Sequence, residues 1–208
     1  NCYQPHGDIY SSISPCVKGN NGKYPVVPHM INLPKNEKNM RRKLGIPENA
    51  TVFGGYGGVD SFNIDFVKKV VYNIAKTNPN IYFLFANFKK FCLPLPNIIH
   101  LPMIIDLMEK VTFINTCDAM IWGRRGGETF GIAIGEFSSL NKPIITTKYC
   151  GGDLCHLYIL RSKGIWYTEK NSLRKILLNF KKSEKDYNAY KDYTPVKVME
   201  KFKKIFLD

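Results

Sequence analysis

Two glutamates, Glu128 and Glu136, stand eight positions apart in "GRRGGETFGIAIGEF", residues 123 to 137. Arg124, Arg125, Gly126 and Gly127 precede the first glutamate, and a small, apolar stretch joins it to the second. Glycines let an anion come close to the backbone. Arginines neutralise phosphate. Carboxylates repel phosphate but accept hydrogen bonds from hydroxyls. A strand that ends in such a loop and passes into a helix also presents free N–H groups and the positive end of the helix dipole. With Glu128 just before the helix and Glu136 about two turns inside, the carboxylates are roughly 12 Å apart along the axis and differ in direction by about 80°. Both are then expected to face one groove. The ligand that fits carries a diphosphate in the middle and a hydroxylated ring at each end, which describes a nucleotide-sugar.

The elements around this stretch must hold it in place. Residues 1–34 are rich in Pro, Gly, Ser and Asn and read as irregular, with one short strand at "YPVVPHM". "NEKNMRRKLGI" reads as a short helix stopped by Gly45 and Pro47. From residue 51, strands and helices alternate. "TVFGGYG" is a strand running into glycines, and "SFNIDFVKKVVYNIAKTNP" a helix with Ser61 as N-cap. "IYFLFAN" has the continuous apolar run of a strand buried on both faces. "NIIHLP", "AMIWG", "KPIITT" and "GIWYT" supply further strands. "IDLMEKVTFINTC", "TFGIAIGEFSSLN", "DLCHLYILRSK" and "NSLRKILLNFKK" supply the intervening and following helices. Residues 184–207 read as more helix, interrupted near Pro195. Such alternation predicts an α/β, doubly wound parallel sheet of Rossmann-like type, with its ligand site beyond the carboxyl ends of the strands. Glycine clusters follow the first, fourth and fifth predicted strands, at Gly54–Gly58, Gly123–Gly127 and Gly151–Gly152.

Composition bounds the alternatives. The 208 residues are 44% hydrophobic, enough to bury a sizeable core, and no apolar run is long enough to cross a bilayer. The net charge of +13 is spread over a lysine-rich chain and concentrates near the C-terminus. A solvated helix face accounts for it more simply than a nucleic-acid surface, and RNA-binding signatures are missing, so nucleic acid is not an expected partner. An anionic ligand or a peripheral contact with an acidic membrane suits the same charge. The six cysteines form no CxxC pair, and free thiols in a reducing, cytoplasmic setting are the expectation. His29, His100, His156 and Tyr158 read as packing residues, and Trp122 as core.

"ETFGIAIGE" fits the E-x7-E motif of retaining glycosyltransferases of the GT-B fold, and resembles their family four in particular. "LGIPENATVFGGYGG" is similar to the start of that family's donor-binding domain. "DAMIWGRRGGETFGIAIGEFSSLNKPIIT" is similar to its motif region, and "GIWYTEKNSLRKILLNF" to its late strand and helix. The likeness spans about residues 26 to 180. It implies that Glu128 lies near the transferred sugar and that Glu136 accepts hydrogen bonds from the ribose. It also implies that amides around Thr129, Phe130 and Gly131 hold the diphosphate, that Gly55, Gly57 and Gly58 line the phosphates, and that the loop beginning at Leu101 passes the base. Arg124 or Arg125 would neutralise developing phosphate charge, because the family's usual Arg/Lys pair after the first strand is missing: "YGGVDSFNIDF" has no cation before Lys68.

By the same resemblance, residues 35–182 form the donor-binding domain, 1–34 a linker or tail of an N-terminal acceptor domain, and 183–208 a C-terminal helical segment. The chain starts at Asn1, and is expected to be a fragment, a processed product or one subunit of a two-chain enzyme. The expected partners are a UDP- or GDP-sugar, an acceptor of unread identity, and that N-terminal domain or partner subunit. No cofactor is expected, and no obligatory metal, since no DxD-like carboxylate cluster is present. Two other classes stay open on the residues alone: a non-catalytic nucleotide-sugar binding module, and a basic interaction domain on the same fold.

Overall fold

The computed structural model describes residues 7–18, 20 and 22–208; Cys2 lies outside them. In chain order the elements are β1 (Thr51–Tyr56), α1 (Asp65–Thr77), β2 (Ile81–Ala86), β3 (Ile98–Leu101), α2 (Leu107–Thr116), β4 (Ala119–Ile121), β5 (Gly127–Glu128), α3 (Ile132–Ser139), β6 (Ile144–Thr146), β7 (Asp153–Leu154), α4 (Cys155–Leu160), β8 (Gly164–Trp166), α5 (Lys170–Leu178) and α6 (Pro195–Phe206). Six strands form one sheet in the order β3-β2-β1-β4-β6-β8, every pairing parallel. β5 and β7 form a separate two-stranded parallel pair that the sequence pattern does not announce.

Parallel pairing explains the composition of the strands. Val52 and Phe53 of β1, and Phe83, Leu84 and Phe85 of β2, are wholly buried between helices on both faces. α1 turns Val67, Val70, Val71 and Ile74 into that core. Among the described residues no helix is long and apolar enough to cross a membrane. Cys16, Cys92, Cys117, Cys150 and Cys155 are free thiols.

Four local expectations change. Ser61 does not cap α1, which begins four residues later after Ile64; the Ser61 hydroxyl donates instead to the Gly58 carbonyl at 2.7 Å. The expected helix at residues 36–46 does not form: residues 36–40 are irregular and 41–45 make a turn, because Gly45 at φ 65° ends the run after too few residues to offset helix nucleation. Segment 184–194 is irregular, and Pro195 starts a helix instead of interrupting one. It occupies the first turn of α6, where a missing N–H costs nothing, and Thr194 caps it. "YPVVPHM" contributes one isolated bridge, Ser12 to Val26, and no strand.

One buried carboxylate ties the turn region to the sheet. Asp118, at the entry to β4, accepts from Arg41 Nη2 at 2.9 Å, from the Val52 amide at 2.8 Å and from Lys182 Nζ at 2.8 Å. Arg41 also donates to the carbonyls of Pro47, Glu48 and Ala50. A second buried polar group has no such partners. His156 of α4 is fully buried against Trp122, ring centroids 4.5 Å apart, and neither of its nitrogens has a hydrogen-bond partner among the described residues. Burial lowers its pKa from 6.5 to about 3.

Both features predict stability changes. Asp118→Ala leaves Arg41 buried without its carboxylate and should cost about 3–5 kcal/mol, read as a lower urea midpoint at unchanged slope; a loss under about 1 kcal/mol would sink this account. For His156 the sign follows from its lowered pKa. The unfolded chain takes up a proton near pH 6.5 that the folded chain refuses until about pH 3. Stability therefore falls as pH drops through that window, by about 1.4 kcal/mol per pH unit from this group. His29 and His100 are shifted downward too, by burial first, but they stay in place in His156→Phe. The variant should show a shallower loss of stability between pH 6.5 and 4 than the parent, and equal slopes would overturn the assignment.

Candidate functional site

The strand order runs outward from β1 to β3 on one side and from β4 to β8 on the other, so the sheet reverses direction between β1 and β4. Loops leaving two such neighbours diverge and open a crevice at their carboxyl ends. A cleft of about 220 Å³ lies there. Gly57 and Gly58 after β1 form one wall, and Trp122, Gly123 and Arg124 after β4 form another. The run from Glu128 to Ala133 closes the third side, bringing onto the cleft the first turn of α3, whose N–H groups have no partner within the helix. Gly131, at φ 82°, is the N-cap of α3.

Glu128 is held from two sides. Its Oε1 accepts from Trp122 Nε1 at 3.1 Å and its Oε2 from Arg124 Nη1 at 3.1 Å. Trp122 is itself fixed, buried against His156 and with its carbonyl accepting from the Tyr167 hydroxyl at 2.6 Å. Arg124 is half-exposed at the cleft wall. Arg125 lies elsewhere. Its guanidinium pairs with exposed Asp65 at 3.1 Å, and its amide donates to Asn63. The structure thus separates the two arginines and brings Arg124 alone to Glu128.

Glu136 does not share this cleft. α3 starts four residues after Glu128, so only half of the eight-residue interval is helical, and the second glutamate meets Lys110 of α2 instead of lining the cleft. Glu136 is buried; its Oε1 accepts from Lys110 Nζ at 3.0 Å and its Oε2 from the Tyr56 hydroxyl. Burial first, then the Glu136 carboxylate, pushes the Tyr56 phenol well above its ordinary pKa. Tyr56 and Lys110 line a second cavity of about 230 Å³ with Asn87, Met103, Ile104 and Phe113. Tyr56 and Gly57 border both cavities.

The remaining candidates divide. Thr129, Phe130, Gly131, Gly57 and Gly58 line the cleft. The ring of Phe130 also packs on Tyr190, Tyr193 and His29, and its carbonyl accepts from Tyr190. Gly55 sits inside β1, where an added Cβ would lie 3.0 Å from the Ile121 carbonyl oxygen, so its smallness serves the sheet. Leu101 ends β3; its carbonyl accepts from the Asn87 amide, and Met103 and Ile104, beyond Pro102, reach the second cavity. Gly127 and Gly152 answer to a different need: a Cβ at either would collide with the backbone of the opposite loop, where β5 pairs closely with β7. Among the described residues no group of three or more His, Cys, Asp or Glu is placed to hold a metal ion. Sequence reasoning missed Tyr56 and Lys110. The tyrosine inside "FGGYGG" was a usable cue, whereas nothing around Lys110 marks it.

No protein-family model matches the chain, and no curated protein matches it significantly. Solved structures do. Anabaena Alr3699/HepE, crystallised in complex with UDP and glucose, superposes with a TM-score of 0.66 at 13% identity, over 95% of this chain and 62% of its own. WaaG, a glycosyltransferase involved in lipopolysaccharide biosynthesis, gives 0.64 at 14% identity, over 95% and 62%. TarM gives 0.61 at 10% identity, over 89% and 39%. The chain therefore spans about 62% or less of the length of these structures. Its architecture is the Rossmann-like fold of the GT-B glycosyltransferases.

Proposed function

We propose that the chain is the donor-binding part of a retaining glycosyltransferase of the family-four type, taking a UDP- or GDP-sugar. The observation that carries this reading is the convergence, at the reversal point of the sheet, of the first turn of α3, the Gly57–Gly58 backbone and the Glu128–Arg124 pair on one cleft. The diphosphate lies at the start of α3, where N–H groups and the helix dipole favour negative charge. Arg124 adds a mobile cation beside it. Glu128, its oxygens oriented by Trp122 and Arg124, faces the hydroxyls of the transferred sugar. Glu136 belongs to the nucleoside end. The cleft is smaller than a typical site for a ligand of this size, roughly 300–1,000 Å³. The acceptor site and a further wall come from a second Rossmann-like domain or a partner subunit. That UDP and UDP-glucose occupy HepE of the same fold supports the ligand class.

The reaction breaks the bond between the anomeric carbon and the diphosphate while the acceptor oxygen attacks from the same face and its proton passes to the leaving phosphate. No Asp or Glu precedes Asp60 in the first glycine loop to act as a nucleophile on the opposite face. Stabilising the leaving diphosphate is then the main task, and α3 with Arg124 performs it.

Calorimetry with UDP and GDP, with and without EDTA, tests the donor site. One of the two should bind, and EDTA should leave the affinity within about twofold; binding abolished by EDTA would overturn metal-free recognition, and no binding of either the reading itself. Glu128→Ala should leave nucleoside diphosphate binding unchanged but weaken the intact sugar nucleotide by about 10- to 100-fold, as loss of a charged hydrogen bond does. For the complete enzyme, NMR of the product should report retention at the anomeric carbon; an inverted linkage would exclude the same-face mechanism.

A further inference from the structure

We infer that Lys110 is a nucleotide-contacting residue, and that Glu136 acts on the nucleotide through it. The inference rests on the donor-site reading above. Both carboxylate oxygens of Glu136 are already engaged, one by Lys110 and one by the Tyr56 hydroxyl. Its side chain is 8% exposed while that of Lys110 is 18% exposed. The cavity at the ends of β1 and β2 is bordered by Lys110 and Tyr56 and not by Glu136. A ligand entering there meets the ammonium and the phenol ring, and Glu136 stands behind them.

The chemistry of the cavity says what the ammonium reads. Met103, Ile104, Phe113 and the ring of Tyr56 offer apolar walls suited to a flat heterocycle, and Asn87 adds an amide whose Nδ2 already donates to the Gly57 carbonyl at 2.7 Å. An ammonium has three N–H donors, and its bond to Glu136 uses one. The others suit acceptor oxygens on a nucleoside, the ribose oxygens or a base carbonyl. The position also fits the charge pattern. The loop after β1 has no cation before Lys68, whereas Lys110 and Arg124 stand at the two cavities that share Tyr56 and Gly57. One cation then serves each end of a ligand that passes over Gly57.

Glu136 is in this account a positioning residue. It is buried and fixed on α3, and it holds the flexible lysine of α2 in one place, so that less side-chain freedom is lost when the ligand binds. The cation lies 5.6 Å from the Tyr56 ring centroid, a second restraint on the same group.

Calorimetric titration of UDP and GDP into the parent chain, Lys110→Met, Glu136→Gln and the double variant tests the inference, with thermal unfolding of the ligand-free proteins as a check on folding. Lys110→Met should weaken binding about tenfold or more, and adding Glu136→Gln should cost no more than about twofold further. The double variant removes both charges of the pair, so it remains informative if either single variant unfolds. Parent-like affinity in Lys110→Met, or in the double variant, would show Lys110 to be a bystander and overturn the inference while the donor site stands. So would a large further loss from Glu136→Gln in the Lys110→Met background, which would assign the contact to Glu136 itself. A parent chain that binds neither nucleotide overturns the donor-site reading and this inference with it.

Discussion

Strand β1 can lie at the centre of the sheet only because its middle carries no side chain at Gly54. A Cβ there would run into Cys117 Sγ at the end of α2. That close approach lets β4, which starts two residues after Cys117, pair directly with β1 at Phe53–Ala119 and Gly54–Met120. The β1–β4 pairing is the reversal point of the strand order, and the reversal point makes the crevice. Gly55, next along, allows the same closeness to β4. The cleft is thus a product of backbone proximity in the sheet, and the loops that line it inherit their positions from that pairing.

On this frame, three carboxylates with buried or half-buried side chains each have a cation. Glu128 has Arg124, Glu136 has Lys110, and Asp118 has Arg41 and Lys182. The three pairs do different work according to burial. Asp118 and Arg41 are sealed in and fasten the turn region to the sheet. Arg124 is 44% exposed, so solvent screens its pairing and it can exchange Glu128 for an incoming anion at small cost.

The doubly wound sheet was legible because parallel strands buried on both faces leave continuous apolar runs such as "IYFLFA", and helices leave stripes such as that of α1. The cleft-lining run Glu128–Gly131 was legible from glycines and charge after a strand. What escaped was whatever depends on where a helix starts. The shared groove for Glu128 and Glu136 assumed a helix from Thr129, but the left-handed Gly131 delays it to Ile132 and rotates Glu136 toward α2. Glycines misled for a similar reason. Gly127 and Gly152 belong to glycine clusters that follow strands, yet they answer to a close pairing of two loops that no local pattern reveals. Lys110 was invisible because its partner lies 26 residues away on another helix.

That pairing also reaches the N-terminal segment. Glu128 is one rung of the β5–β7 pair, with Leu154 as its partner, and Gly127 faces Asp153. The Asp153 carboxylate accepts from the Lys18 amide at 2.8 Å. The irregular N-terminal segment, β7 and the cleft carboxylate therefore form one short train of contacts. The link from Lys18 to Glu128 runs through two strands of two residues each, with α4 packed beside β5. The segment before the first strand of the sheet is thereby joined to the loop that carries the cleft carboxylate, whose oxygens Trp122 and Arg124 hold.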